Sequence, residues 1–122
     1  MKTNKIEFYC DKNKKILEVD SNYQVVKLTT YYSKSKKIEA IYEYDKHGKL
    51  IKKISYFSDG DIHYIRKYNE DEKLIKEIYY NGEDETVEII KEFDENEQLI
   101  KRVEFFKPND YFYDEDDDDD DE

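Results

Sequence analysis

Residues 44–60 read YDKHGKLIKKISYFSDG, and the phrase returns at 68–82 as YNEDEKLIKEIYYNG and at 93–106 as FDENEQLIKRVEFF. Stacked in columns, the copies share an aromatic (Tyr44, Tyr68, Phe93), an Asp or Asn, four turn-like residues and then Leu-Ile-Lys. An Ile or Val follows (Ile54, Ile78, Val103), with a second aromatic two positions on (Tyr56, Tyr80, Phe105). Spacings of 24 and 25 residues mark internal repetition, the signature of an array in which each unit needs its neighbour to bury its apolar side chains. A worn copy lies upstream at Val25, Val26, Lys27, Thr29 and Tyr31, and CDKNKKILEV at 10–19 begins the series.

Each repeat divides into two alternating runs of about seven residues, which is strand periodicity. The runs are separated by turn residues such as SDGD (58–61) and NGED (81–84). Asp59-Gly60 and Asn81-Gly82 are dipeptides suited to the positive φ of type I′ hairpins. Strands are expected near 4–10, 15–20, 24–32, 37–44, 49–57, 62–68, 73–80, 86–93 and 98–106. Turns this short leave no room for parallel crossovers. The expected fold is therefore all-β: an antiparallel meander of about nine short strands, built from tandem repeats of ~24 residues, in a strongly twisted or curled sheet.

Alternation assigns side chains to faces. Leu50, Ile54 and Tyr56 share one face, and the expected partners from the return strand are Ile62, Tyr64 and Tyr68, with Lys52 and Arg66 among them. In the next repeat the same face takes Leu74, Ile78, Tyr80, Val87, Ile89 and Phe93, with Lys76 and Lys91 at the cationic positions. The opposite, wetter face carries Lys53, Lys67, Glu77 and Glu92 around a column of Ile51, Ile65, Ile75, Ile90 and Ile100. With no helix to cover the apolar face, the alternatives are curl into a half-barrel or closed barrel, a homodimer through that face, or a single layer held by cross-strand ladders.

Composition sets the remaining limits. The 122 residues make one domain, with 13 Tyr, 6 Phe and few Ala favouring pleated sheet over helix. The net charge of −11 is unevenly spread. Residues 1–60 hold 13 Lys against 8 acids, residues 61–113 hold 8 bases against 15 acids, and Asp114–Glu122 are nine consecutive acids. We read 1–110 as a single β-hairpin-repeat domain and 111–122 as a disordered acidic tail. The single cysteine, Cys10, excludes an internal disulfide, and no Cys/His spacing suits zinc. Neither a signal-peptide core nor a membrane-spanning run is present, so the expected compartment is the cytoplasm, with no membrane partner and with export by a route that reads no N-terminal signal as the alternative.

Candidate chemistry is sparse. His47 falls in a turn and His63 on the wet face, neither with a Cys or Ser partner at a recognisable spacing. Cys10 reads as an ordinary strand cysteine, and pairs such as Glu77 and Glu92 as cross-strand partners of Lys and Arg. No catalytic residue, metal site or cofactor is expected. Tyrosine ladders beside lysines resemble single-strand nucleic-acid platforms, but the negative body and acid run disfavour nucleic acid, apart from a local patch in the positive first half.

The unit Tyr44, Asp45, Gly48, Leu50 resembles the YD-type and MORN-variant hairpin repeats of bacterial proteins, whose pattern is Tyr-Asp-x-x-Gly-x-Leu. Later copies replace the glycine by Glu72 and Glu97. The resemblance covers 42–106 and more weakly 5–41, and it implies a binding scaffold of the kind found in toxin-neutralising and host-interaction proteins. It supplies no catalytic residue. The functional expectation is a non-enzymatic protein-interaction module, toxin-neutralising or effector-like, docking on a basic protein such as a toxin or nuclease. Tyr56, Tyr64, Tyr68 and Tyr80 would anchor it, and Asp114, Glu115, Asp116, Asp117 and Asp118 would steer encounter. Alternatives are a self-associating structural repeat protein and a polyanion mimic that blocks a nucleic-acid-binding protein.

Overall fold

The computed structural model describes residues 3–84 and 86–105, so the acid run and the expected tail at 111–122 lie outside the described residues. Nine strands form one antiparallel sheet in chain order. They are β1 (Asn4–Cys10), β2 (Asn13–Val19), β3 (Val25–Tyr31), β4 (Ile38–Tyr44), β5 (Leu50–Tyr56), β6 (Ile62–Tyr68), β7 (Leu74–Tyr80), β8 (Val87–Phe93) and β9 (Leu99–Glu104). The meander follows the repeat as expected. β1 and β9 do not pair with each other, so the sheet is open and the closed-barrel alternative is not adopted.

The Asp/Asn column of the repeat builds the turns. Asp45 Oδ1 accepts the N–H groups of His47 at 2.8 Å and Lys49 at 3.0 Å. Asn69 Oδ1 does the same for Asp71 and Lys73, and Asp94 Oδ1 for Asn96 and Gln98. Asp20 repeats the device with Asn22 and Gln24, which identifies the worn copy. In each turn a residue in the left-handed region closes back on the Asp/Asn carbonyl: Tyr23 (φ 62°), Gly48 (φ 80°), Glu72 (φ 61°) and Glu97 (φ 62°). This is the three-residue hairpin loop, a type I turn followed by a left-handed residue.

A side chain in that conformation costs about 1–2 kcal/mol, which glycine avoids. The two glutamates have a compensation that glycine lacks. Glu72 Oε1 accepts the N–H of Leu50 at 2.9 Å, and Glu97 Oε2 accepts that of Leu74 at 2.9 Å. Each carboxylate ties its own turn to the first strand residue of the preceding repeat.

The expected type I′ turns form elsewhere. Only Gly60 of the Asp59-Gly60 pair is left-handed (φ 102°), closing a turn on the Phe57 carbonyl at 2.9 Å, while Asn81 bonds to Thr86 at 2.8 Å across a longer loop. The two-residue turn with both central residues left-handed is Asp11 (φ 53°) and Lys12 (φ 69°), between the paired Cys10 and Asn13. Gly82 has a different use: a Cβ there would lie 2.9 Å from Cε2 of the Phe57 ring.

Register corrects the expected faces. From the β2–β3 pair onward, every pairing slips at a β-bulge or irregularity near one strand end. Ile54 therefore opposes Ile65, and Ile78 opposes Ile65 and Ile90, whereas Tyr64 opposes Ser55 and Tyr79. Ile65, Lys67, Ile90 and Glu92 join the face of Ile54, and Tyr64, Arg66, Ile89 and Lys91 leave it. A one-residue slip moves a whole strand's side chains to the other face, and alternation within a strand cannot reveal it.

The described sheet is a single layer. Val19, Ala40, Ile41, Thr29, Thr30 and Glu77 are its buried residues, and no described side chain is completely enclosed. Stability must come from many cross-strand pairs worth about 0.2–1 kcal/mol each. The row Ile16, Thr29, Ile41, Ile54, Ile65, Ile78, Ile90, Val103 is a ladder of this kind, apolar but for Thr29.

Candidate functional site

The sheet face of Lys53 is a lattice of cations and rings. Lys53 Nζ lies 5.4 Å from the Tyr42 ring centre and 5.5 Å from that of Tyr64, and the Arg66 guanidinium lies 4.6 Å from Tyr64. Arg66 Nε donates to Glu77 Oε2 at 2.8 Å, and Lys91 approaches the Tyr79 ring at 5.5 Å. Burial pulls the Lys53 ammonium down, but its hydrogen bond with Tyr64 and the nearby Tyr42 hold it above the ordinary lysine value. Burial likewise opposes the Arg66 charge, and the Glu77 carboxylate more than restores it. His63, expected on the wet face, is half-buried, stacked on Phe57 at 4.2 Å and edge-on to Tyr64 at 5.0 Å. These groups pair with one another across the face.

The open cleft at the other end of the molecule is different in kind. The turn after β1 and the turn after β3 enclose about 220 Å³ lined by Tyr9, Lys12, Lys14, Tyr32, Lys34, Ser35 and Lys36. Four ammonium groups and two phenols meet there, and among the described residues no carboxylate lines it. Lys12 (φ 69°) and Lys34 (φ 53°) are both left-handed, as Tyr23, Glu72 and Glu97 are in the other hairpin turns. Lys14 Nζ lies 4.5 Å over the Tyr31 ring, and Tyr9 is 65% exposed with its hydroxyl donating to Glu7 at 3.2 Å. The Tyr32 hydroxyl donates to the Tyr56 carbonyl; burial, then Glu39 and Asp59, push that phenol up. The cleft thus sets positive charge beside an aromatic surface.

A second concavity, about 660 Å³ and wide open, is lined by Phe57, Asp59, Asp61, Tyr80, Asn81, Gly82, Glu83 and Glu88. Among the described residues no group of three His, Cys, Asp or Glu side chains is poised to hold a metal ion. No helix of the described residues is long and apolar enough to cross a membrane.

The tyrosines singled out in the sequence do not form one platform. Tyr64 lies on the Lys53 face, while Tyr56, Tyr68 and Tyr80 stand at slipped positions opposite Ile62, Leu74 and Val87. Asp114, Glu115, Asp116, Asp117 and Asp118 lie outside the described residues. The cleft residues escape sequence reasoning because Tyr9 and Tyr32 belong to different repeats. The lysine excess of residues 1–60 is the signal that points toward them.

Similar sheets occur in solved structures. A point mutant of TarM from S. aureus, in complex with fondaparinux, α-GlcNAc-glycerol and UDP, matches with a TM-score of 0.58 at 18% identity, over 83% of this chain and 20% of that one. A second TarM structure matches with a TM-score of 0.58 at 20% identity, over 81% of this chain and 19% of that one. The GtfA/B complex bound to UDP and GlcNAc gives 0.49 at 14% identity, over 82% and 24%. This chain thus spans about a fifth of the length of TarM, and the likeness shows the fold. No curated protein matches.

These findings overturn the expected toxin-neutralising or effector function, together with its structural-repeat and polyanion-mimic alternatives. A solved sheet that resembles this one is part of TarM, a protein crystallised with UDP and sugar ligands, and no YD or MORN family is matched. That expectation takes repeat phrasing for family membership, whereas a hairpin repeat is a solution to sheet building that unrelated proteins share. The sequence does match one family, in three overlapping copies at residues 8–55, 31–79 and 56–104 that follow the hairpin repeat. The chain belongs to the family described as "Protein of unknown function (DUF2963)".

Proposed function

We propose that this sheet is a carbohydrate-holding module, and that the cleft between the β1–β2 and β3–β4 turns seats an anionic sugar residue of a longer chain. The observation that carries the reading is the cleft lining: Lys12, Lys14, Lys34 and Lys36 around Tyr9 and Tyr32, with no carboxylate among them. Ammonium groups supply mobile donors and charge for phosphate, sulfate or carboxylate substituents, and phenol rings supply an apolar surface with a polar rim. Support from the fold is that TarM, whose sheet this one resembles, was crystallised with fondaparinux and α-GlcNAc-glycerol. The module acts by holding a chain, and no group transfer is assigned to it.

Titration calorimetry of the full chain against fondaparinux tests the reading. Saturable binding that weakens from about 50 to 300 mM salt is expected, because exposed charge pairs are screened over a Debye length of about 10 Å at 0.1 M. The variant Lys12→Gln/Lys14→Gln/Lys34→Gln, checked for an unchanged far-ultraviolet circular dichroism spectrum, should lose most of that binding. Equal binding by the variant refutes the cleft as the seat.

A further inference from the structure

One row of residues crosses the whole sheet on the face of the Ile54 ladder. Its members, in strand order, are Lys5, Glu18, Lys27, Glu43, Lys52, Lys67, Lys76, Glu92 and Lys101. Charges alternate in sign along this row, so each group faces an opposite charge, except at its centre. There Lys52, Lys67 and Lys76 follow one another on β5, β6 and β7.

Directly opposite positions in an antiparallel pair bring Cα atoms to about 4.5–5.5 Å. Like charges placed so destabilise a sheet. Among the described residues none of the three lysines makes an ion pair within the distance at which Arg66–Glu77 does, at 2.8 Å. Two residues along each strand stand Ile54, Ile65 and Ile78, which border the lysines with apolar surface. Glu43 and Glu92 close the row at either side.

We propose that Lys52, Lys67 and Lys76 form a second anion subsite, which takes successive negative groups of the same acidic polysaccharide that the cleft seats. This inference rests on the carbohydrate-holding reading and names its ligand class. Lys14, Ile16 and Glu18 alternate along β2, so the Lys14 side of the cleft and the lysine row share one face. Four strand spacings and four residues along a strand separate them by roughly 20–25 Å, the span of an oligosaccharide rather than a single sugar. Crossing perpendicular to the strands, a bound chain meets a lysine about every 4.8 Å. Glu43 and Glu92 face the outer two lysines, but Lys67 has a like charge on both sides, and anions lying between the ammonium groups offset that repulsion.

The test uses the full chain, fondaparinux as probe, and the variant Lys52→Gln/Lys67→Gln/Lys76→Gln. Affinity at low salt should fall by about tenfold and the salt dependence should become shallower, since fewer charged contacts are screened. The melting temperature without ligand should stay level or rise, because the mutual repulsion is gone. Unchanged affinity overturns the proposal, and so does a lowered melting temperature, which would make the lysines structural. Poly-glutamate and single-stranded oligonucleotide of matched charge should bind more weakly than fondaparinux; equal binding would overturn the polysaccharide assignment. The two sites are separable: loss in the row variant with full retention in the cleft variant would refute the cleft while leaving the row, and the reverse would refute the row alone.

Discussion

Replacing Glu72 tests why this chain abandons glycine in its later turns. Glu72→Ala keeps the Cβ, and so keeps the left-handed strain at φ 61°, but deletes the acceptor for the Leu50 N–H, 2.9 Å away. A hydrogen bond to a charged group contributes about 1.5–3 kcal/mol, and this one is exposed, so water can replace it and its contribution falls below that range. We expect a loss of about 1 kcal/mol, or about 4–8 °C in melting temperature for a domain of this size. Glu72→Gly removes the acceptor as well, yet relieves about 1–2 kcal/mol of strain and returns about 0.5–1 kcal/mol as entropy of the unfolded chain. It should therefore fall between Ala and wild type. Glu72→Gln, which retains an oxygen on the same stem, should lie close to wild type. Thermal and urea unfolding followed by circular dichroism gives the ranking Glu, Gln, Gly, Ala. A Glu72→Ala variant as stable as wild type would show that the inter-repeat tie contributes nothing and that the glutamates are merely tolerated.

Two further expectations concern the lattice and the turns. Glu77 is 5% exposed and Arg66 depends on it, so Glu77→Ala leaves a half-buried guanidinium without its 2.8 Å partner. Breaking a buried pair costs about 3–5 kcal/mol, and with the Arg66 side chain 34% exposed we expect about 2 kcal/mol by urea denaturation; a change below about 0.5 kcal/mol would refute the role. The N–H of Lys49, then that of His47, hold the Asp45 carboxyl below its ordinary range. A depressed folded value stabilises above the unfolded value, near about 3.9, and that stabilisation is lost as pH falls through the folded value. Melting temperature should therefore decline more steeply below about pH 4 in wild type than in Asp45→Asn, whose amide oxygen accepts the same bonds without titrating; identical slopes would remove Asp45 from the acid response.

The repeat makes the hairpins legible because its signals are local. Asp45, Asn69 and Asp94 bond to backbone two and four residues on, so the turn is written within five residues. Strand limits follow from those turns. Misread dipeptides show the limit of the same logic: Asn81-Gly82 has the composition of a type I′ turn, but the glycine's place is decided by the Phe57 ring, 25 residues away in sequence. The candidate cleft is less legible still. Its lysines are visible only as an excess of positive charge, since nothing local says that the turn holding Lys12 meets the turn holding Lys34 and Lys36.

By itself, then, the sequence determined an open-ended series of antiparallel hairpins, because alternation and Asx turns act over a few residues and the repeat copies them. It also determined which side chains within one strand share a face. Only the tertiary structure decided how those faces join. A bulge in nearly every pair shifts register by one residue, and in a period of two that shift exchanges the faces. It is this shift that separates Tyr64 from Ile54 and brings Lys52, Lys67 and Lys76 into one row. The charges are local properties of the chain, but their adjacency is a property of the pairing.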